Sequence, residues 1–139
     1  MNIIRLRIIP NLNCEEAIEI TKQKQIILDI IMADHTHPTA DEIYLKAKQK
    51  LPSIAVGTVY RNLNIMCEAG EIRRIPVPDG ADRYDRSVKP HDHILCKKCG
   101  RMVDIKIDGL VQFIEKQAEV SVESYELHIQ GICKECNKN

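Results

Sequence analysis

Apolar residues fall at helical intervals through the first half of the chain and then change their period. Ile26, Ile27, Ile30 and Ile31 recur three to four positions apart, which predicts a helix over residues 21–34. Upstream, Pro10 interrupts residues 1–13, and Asn13 ahead of Glu15 and Glu16 predicts only a short capped turn. The polar stretch Asp34-His35-Thr36-His37-Pro38 breaks the pattern, with extended backbone expected before the proline. Thr39 and Glu42 form a capping-box pair that opens a second helix, ended by Leu51-Pro52. Ser53 is placed to cap a third helix over residues 54–69, with Gly70 as its stop. On that helix Val56, Val59, Leu63 and Met66 share one face and are expected to pack inward. Gly57, Thr58, Tyr60, Arg61 and Asn64 occupy the opposite face, which is small, polar and able to hydrogen-bond.

The period then drops to two. Residues 72–77 and 82–86 read as strands around the turn Pro78-Asp79-Gly80. Three helices followed by a hairpin is the order of a winged helix-turn-helix, whose second reading helix enters the DNA major groove. Residues 87–90 carry no apolar period and are expected to be a hinge. Beyond them, strands over 92–96 and 101–106, a helix over 108–118 and a strand over 120–132 form a small α+β unit. The fold class is therefore α+β: a winged helix-turn-helix domain over 1–86, and a C-terminal α+β domain over 91–139 through which two copies would dimerise.

Composition changes this picture in three ways. With 139 residues, one Phe and no Trp, two domains would each have a thin core, so a metal staple or a dimer interface is expected to help. The net charge is zero, and each side of Arg86 is balanced, with 12 basic and 12 acidic residues before the hinge and 8 of each after it. Global charge gives no support for nucleic-acid binding. Locally, however, residues 43–67 hold Lys46, Lys48, Lys50 and Arg61 and no acid, and Arg73 and Arg74 follow on the hairpin. A solvated amphipathic helix and a phosphate-facing one both fit that run. No apolar stretch approaches the ~20 residues that span a bilayer, and the N-terminus lacks a signal-peptide pattern, so the cytoplasm is expected. Six cysteines there read as metal ligands before disulfides.

Cys96-x-x-Cys99 and Cys133-x-x-Cys136 can together close a tetrahedral S4 zinc site. The 33 residues between the pairs exceed a compact zinc ribbon and leave room for a helix and a strand. His91 and His93, two apart on an extended segment, point to one face. A Cys2His2 site with Cys96 and Cys99 would strand the second cysteine pair. The histidines and nearby carboxylates instead suit a second, harder metal such as iron or manganese. Cys14 and Cys67 have no partner at metal spacing.

Val56-Gly-Thr-Val-Tyr-Arg-Asn-Leu63, with Gly70 and the hairpin behind it, resembles the recognition helix and wing of the ferric uptake regulator family. His91-Asp-His93-Ile-Leu-Cys96-Lys-Lys-Cys99-Gly100 resembles that family's metal signature. The resemblance spans residues 21–136. In the family's peroxide-sensing branch three histidines and two aspartates hold a regulatory metal, and those positions fall on His37, Asp85, His91, His93 and Asp104. Iron-sensing members usually carry Glu where Asp85 and Asp104 stand, so the aspartates favour the peroxide-sensing branch. A third site found in some members has Pro90 and Tyr125 at its histidine positions, and is not expected. The chain departs from the family at Thr21-Lys22-Gln23-Lys24, where Thr-Pro-Gln-Arg is usual; lysine keeps the charge and loses the bidentate fork.

The resemblance implies a dimeric transcriptional repressor on palindromic double-stranded operator DNA, with structural Zn2+ and regulatory Fe2+ or Mn2+. It further implies that peroxide reacts at the iron, that a ligand histidine, His37 or His91, is oxidised, and that the repressor then leaves DNA. Manganese would form the same clamp without that reactivity. Self-modification of this kind is not turnover, so no enzyme is expected. The rivals are an iron- or zinc-uptake repressor, for which metal supply is the signal, and a non-haem metalloenzyme.

Overall fold

A computed structural model describes residues 14–138, so the expectations for residues 1–13, Asn13 included, lie outside the described residues. The first element is one continuous helix, α1 (Cys14–Ala33), and not a short turn followed by a separate helix. It is followed by α2 (Ala40–Lys50) and α3 (Val56–Glu68). One buried cluster joins them: Ile27, Ile30 and Ile31 meet Ile43, Ala47, Val59, Leu63 and Met66. Each large aliphatic side chain there contributes about 1.5–3 kcal/mol by leaving water. Thr39 caps α2 as anticipated: its side chain accepts from the Glu42 N–H while Glu42 returns a bond to the Thr39 N–H.

Two details of α3 differ from expectation. Ser53 does not cap it; the helix starts at Val56 after Ala55, which makes no side-chain cap bond. Val56 is 45 % exposed, because Ile54, just upstream of the helix, fills the inward position. The helix stops as a Schellman motif. Gly70, at φ +71°, donates to the Cys67 carbonyl, and the Glu71 N–H reaches back to Met66.

The hairpin strands β1 (Arg73–Ile75) and β2 (Arg83–Asp85) are shorter than residues 72–77 and 82–86. Pro76 and Pro78 have no N–H to donate, which truncates β1. Arg73 pairs with Asp85, Arg74 with Tyr84 and Ile75 with Arg83. The turn carries Asp79 at φ +58° and closes through Gly80 N–H to the Val77 carbonyl.

A second sheet has the order β4-β3-β5, built from β3 (Asp92–Cys96), β4 (Met102–Ile105) and β5 (Ile129–Gly131). Helix α4 (Leu110–Ala118) bridges β4 to β5, and a four-residue helix, α5 (Lys134–Asn137), follows. The strand expected over 120–132 shrinks to β5. Only the residues opposite Ile94, Leu95 and Cys96 find a neighbouring strand, and residues 121–128 run without one. His128 accordingly precedes the strand and is exposed. No helix among the described residues is long and apolar enough to cross a membrane.

Candidate metal centres and nucleic-acid face

The parallel pairing of β5 with β3 assembles the four cysteines. Cys96 ends β3 opposite Gly131, two residues before Cys133, so the two knuckles meet. The Cys133 N–H lies 3.3 Å from the Cys96 sulfur, and the Cys99 and Cys133 sulfurs are 3.7 Å apart. A disulfide needs about 2.05 Å, whereas four sulfurs each ~2.3 Å from one zinc stand ~3.8 Å from each other. Cys96, Cys99, Cys133 and Cys136 all lie within 4.8 Å of one another. Electrostatics favour a cation here. N–H donation, first from Cys133 and then from Cys99, pulls the Cys96 thiol down to about 6. The crowded sulfurs of Cys133 and Cys99 push Cys136 up to about 12. Four thiolates coexist in this space only around a dication.

The second cluster joins distant parts of the chain: His37 from the α1–α2 connection, Asp85 from β2, His91 and His93 from the start of β3, and Asp104 from β4. Register explains its last members. His93 stands directly across from Asp104 in the β3–β4 ladder, and His91 is two residues away on the same face. His37 sits at φ +59° in a turn tightened by Thr36, whose N–H and hydroxyl both donate to Asp34. The His37, His91 and His93 Nε2 atoms lie 3.4, 2.8 and 3.1 Å from Asp85 Oδ2, and 2.8, 3.5 and 3.2 Å from Asp104 Oδ1. Donors ~2.1 Å from one ion at right angles lie ~3 Å apart. All six nitrogen–oxygen separations are therefore of the kind that neighbouring ligands of one ion would show.

Protonation states fit a metal. The His91 Nδ1 lies 2.7 Å from the Lys89 carbonyl, which can only accept, so Nδ1 carries the proton. Its Nε2 is buried and makes no hydrogen bond, although Asp85 Oδ2 is 2.8 Å away. A buried ring nitrogen without a hydrogen bond beside a carboxylate oxygen is a pair that one shared cation would satisfy. Burial holds His93 below the ordinary imidazole range. Burial acts to raise Asp85 as well, but the Ser87 N–H and the His93 ring outweigh it and keep that carboxyl ionised below its usual range. Exposure is uneven: His37, Asp85 and His93 are buried, whereas the Asp104 side chain is 57 % exposed. One side of the cluster thus opens to solvent.

On α3, Gly57, Tyr60, Arg61 and Asn64 are exposed and Thr58 is half-buried. Tyr60 donates to Asp41 at 3.3 Å, and Asn64 accepts from Arg74, which stacks over Tyr84. Arg61 has no partner among the described residues. Lys24, the departure noted above, is held by Glu71 at 2.8 Å, so its charge is directed into the molecule.

Two supports were missed in the sequence. Arg73 donates to the His91 carbonyl at 2.8 Å, and Tyr125 donates to Asp92, the residue between the two histidines, at 3.0 Å. Arg73 pairs with Asp85 in the hairpin, and that pairing was a usable sign that it faces the site.

Comparison with known proteins places the family and the fold. The sequence profile of the ferric uptake regulator family matches residues 15–130. The chain is 37% identical over 122 residues to the peroxide-responsive repressor PerR of Staphylococcus saprophyticus, covering 86% of this chain and 82% of the relative. The crystal structure of the Campylobacter jejuni peroxide stress regulator superposes with a TM-score of 0.70 at 30% identity, over 88% of this chain and 94% of that one. The iron-containing ferric uptake regulator of Francisella tularensis gives 0.71 at 27% identity, over 84% and 92%.

Proposed function

The chain belongs to the ferric uptake regulator family, and on that footing we propose that it is a dimeric, metal-dependent repressor that senses hydrogen peroxide. The division of labour follows the hinge at 87–90: residues 1–86 bind operator DNA and residues 91–139 dimerise. Exposed Val103, Phe113, Val120 and Ile132 on the second unit supply apolar surface for a partner copy. A two-fold dimer presents two α3 helices to a palindromic operator, each with Gly57, Thr58, Tyr60, Arg61 and Asn64 towards the groove. Work in the cytoplasm suits this role.

Zinc is assigned to Cys96, Cys99, Cys133 and Cys136, and Fe(II) or Mn(II) to His37, Asp85, His91, His93 and Asp104. The observation that carries the second assignment is the convergence of five donor atoms within 4.8 Å of one another, with His91 Nε2 buried beside Asp85 and without a hydrogen bond. Iron(II), when bound, supplies the reduction of peroxide that leaves an oxygen atom on His37 or His91. His37 and Asp85 come from the first unit and the other three ligands from the second, so the five together hold one interdomain angle. Exposed Asp104 marks the side by which a small oxidant arrives. Damage to either histidine removes a ligand, frees the angle and releases DNA. The relatives named for peroxide sensing favour this reading over regulation by metal supply, and family membership favours a regulator over a metalloenzyme.

The test is peptide mass mapping after one equivalent of peroxide. The Fe(II) dimer should release operator and gain one oxygen in a peptide with His37 or His91, while the Mn(II) dimer stays intact. Release with all histidines unmodified and a cysteine oxidised would overturn the histidine route. Release on chelation alone, with no response to peroxide, would point to a metal-supply sensor.

A further inference from the structure

Arg83 does more than pair with Ile75 across the hairpin. Its guanidinium reaches two backbone carbonyls from distant segments: Nη1 donates to His37 at 3.3 Å and Nη2 to Gly100 at 2.8 Å. The first carbonyl belongs to a ligand of the five-membered cluster. The second belongs to the residue after Cys99, in the first cysteine knuckle. We propose that Arg83 is a positioning residue that couples the two metal centres, a reading that rests on the metal assignments above.

The case begins with the His37 turn. His37 sits at φ +59°, in the left-handed region that non-glycine residues adopt uncommonly, so its turn is sensitive to what packs against it. Strand β2 supplies those contacts. The Tyr84 N–H donates to the Pro38 carbonyl at 2.9 Å, and Thr39 forms a bridge with Arg83. The arm of Arg83 on the His37 carbonyl completes the set. Two residues further along the same strand, Asp85 meets the His37 ring at 3.4 Å. One three-residue strand therefore sets both the backbone of His37 and its carboxylate partner.

The other arm fixes this arrangement to the cysteines. Gly100, at φ +73°, closes the knuckle by donating to the Cys96 carbonyl at 2.9 Å, which leaves its own carbonyl turned to Arg83. The four cysteine sulfurs already lie within 4.8 Å of one another with the knuckle in this shape, the spacing that one zinc would require. A filled cysteine site therefore presents the Gly100 carbonyl in the place where Arg83 can bond it and His37 together. Lysine keeps the charge and three rotatable donors but loses the planar fork whose two arms hold the carbonyls at a fixed separation. Charge alone predicts the opposite outcome: removing a nearby cation should improve binding of a dication.

The zinc-loaded dimer is the material for the test, with Mn(II) alone as the probe. Arg83→Ala and Arg83→Lys should both keep one zinc per chain and the dimer mass, and lose on the order of ten-fold or more in Mn(II) affinity. Coupling is reciprocal in binding free energy, so saturating Mn(II) should raise zinc affinity, read at equilibrium against a zinc-selective chelator, by the same factor in the wild type and not in either variant. Mn(II) affinity within two-fold of wild type in both variants, or a gain in affinity, would overturn the proposal. So would an Mn(II)-driven rise in zinc affinity that survives the substitution. If Arg83→Ala does not fold, the same two readouts on Arg83→Lys decide. A wild type whose Mn(II) binding is untouched by His37→Ala would instead sink the underlying site assignment, whatever Arg83 does.

Discussion

The carboxylate of Asp104, more than half exposed, touches the Nε2 of deeply buried His37 at 2.8 Å. The two residues come from different parts of the chain, His37 from the connection between α1 and α2 beside the helical core and Asp104 from β4 on the edge of the C-terminal sheet. Whatever fills the space between their donors decides how those two parts are held.

The first expected outcome concerns that junction. His37→Ala should cut Mn(II) affinity by at least about 100-fold and abolish metal-dependent operator binding, because a ligand is lost outright and not merely displaced. Zinc content and dimer mass should be unchanged. Elemental analysis with fluorescence anisotropy on operator DNA reads both. Loss of zinc in this variant would mean that the two clusters are not separate sites.

Removing a sulfur has a different consequence. Cys99→Ser should release zinc and unfold the β4-β3-β5 sheet, since structural zinc supplies on the order of 10 kcal/mol of folding free energy in small metal domains. Thermal melting of the variant should lose the transition of the C-terminal unit. A variant that keeps its zinc and its melting point would remove Cys99 from the site.

On DNA, Arg61→Ala should weaken operator binding by roughly 1–3 kcal/mol if the guanidinium reads a base. If it contacts only phosphate, affinity should fall equally on all sequences and the salt dependence should become shallower by about one unit. Lys24→Ala serves as the contrast. Its charge is already paired with Glu71, so operator affinity should change little.

Acid stability gives a fourth test. Burial acts to raise Asp34, but Lys46 at 2.5 Å and the Thr36 hydroxyl and N–H outweigh it and hold the carboxyl down at about 2, below its ordinary 3.8. A group whose folded value is depressed stabilises the fold above its unfolded value and loses that contribution as pH falls towards the folded one. Asp34→Asn should therefore cost about 1–2 kcal/mol at pH 7. The gap to wild type should narrow below about pH 4 and close near pH 2, as followed by urea unfolding. A gap independent of pH would show that packing, and not the charge, is what Asp34 contributes.

What was legible in the sequence was what depends on local spacing. The capping box at Thr39 and Glu42 belongs to α2, and the glycine stop at Gly70 and the inward row Val59, Leu63 and Met66 to α3; each follows from a single helix and its ends. The cysteine pairs and the His91–His93 alternation were legible for the same reason. Features that depend on a neighbour were not. Val56 looked inward by period, yet Ile54 had already filled that place. The last strand was read as long because residues 121–128 suit extended structure, but a strand exists only where a partner runs beside it. The end of β1 at Ile75 has its sign in the sequence, Pro76 and Pro78, whose missing N–H groups stop the ladder. His37 and Asp85 came from family resemblance; nothing in their own surroundings announces that they meet. The fork of Arg83 on two carbonyls leaves no trace in sequence beyond its alternation with Asp85 on one face of β2.

Strand β3 lies between the two clusters, with His91 just before it, His93 within it and Cys96 at its end. His93 and Cys96 are three residues apart on that one strand, so the two clusters share a single backbone segment. A one-residue slip of β3 against its neighbours would turn every side chain of the strand to the other face. The pairing of β3 with β4 on one side and β5 on the other therefore sets the donor geometry of both clusters with a single register.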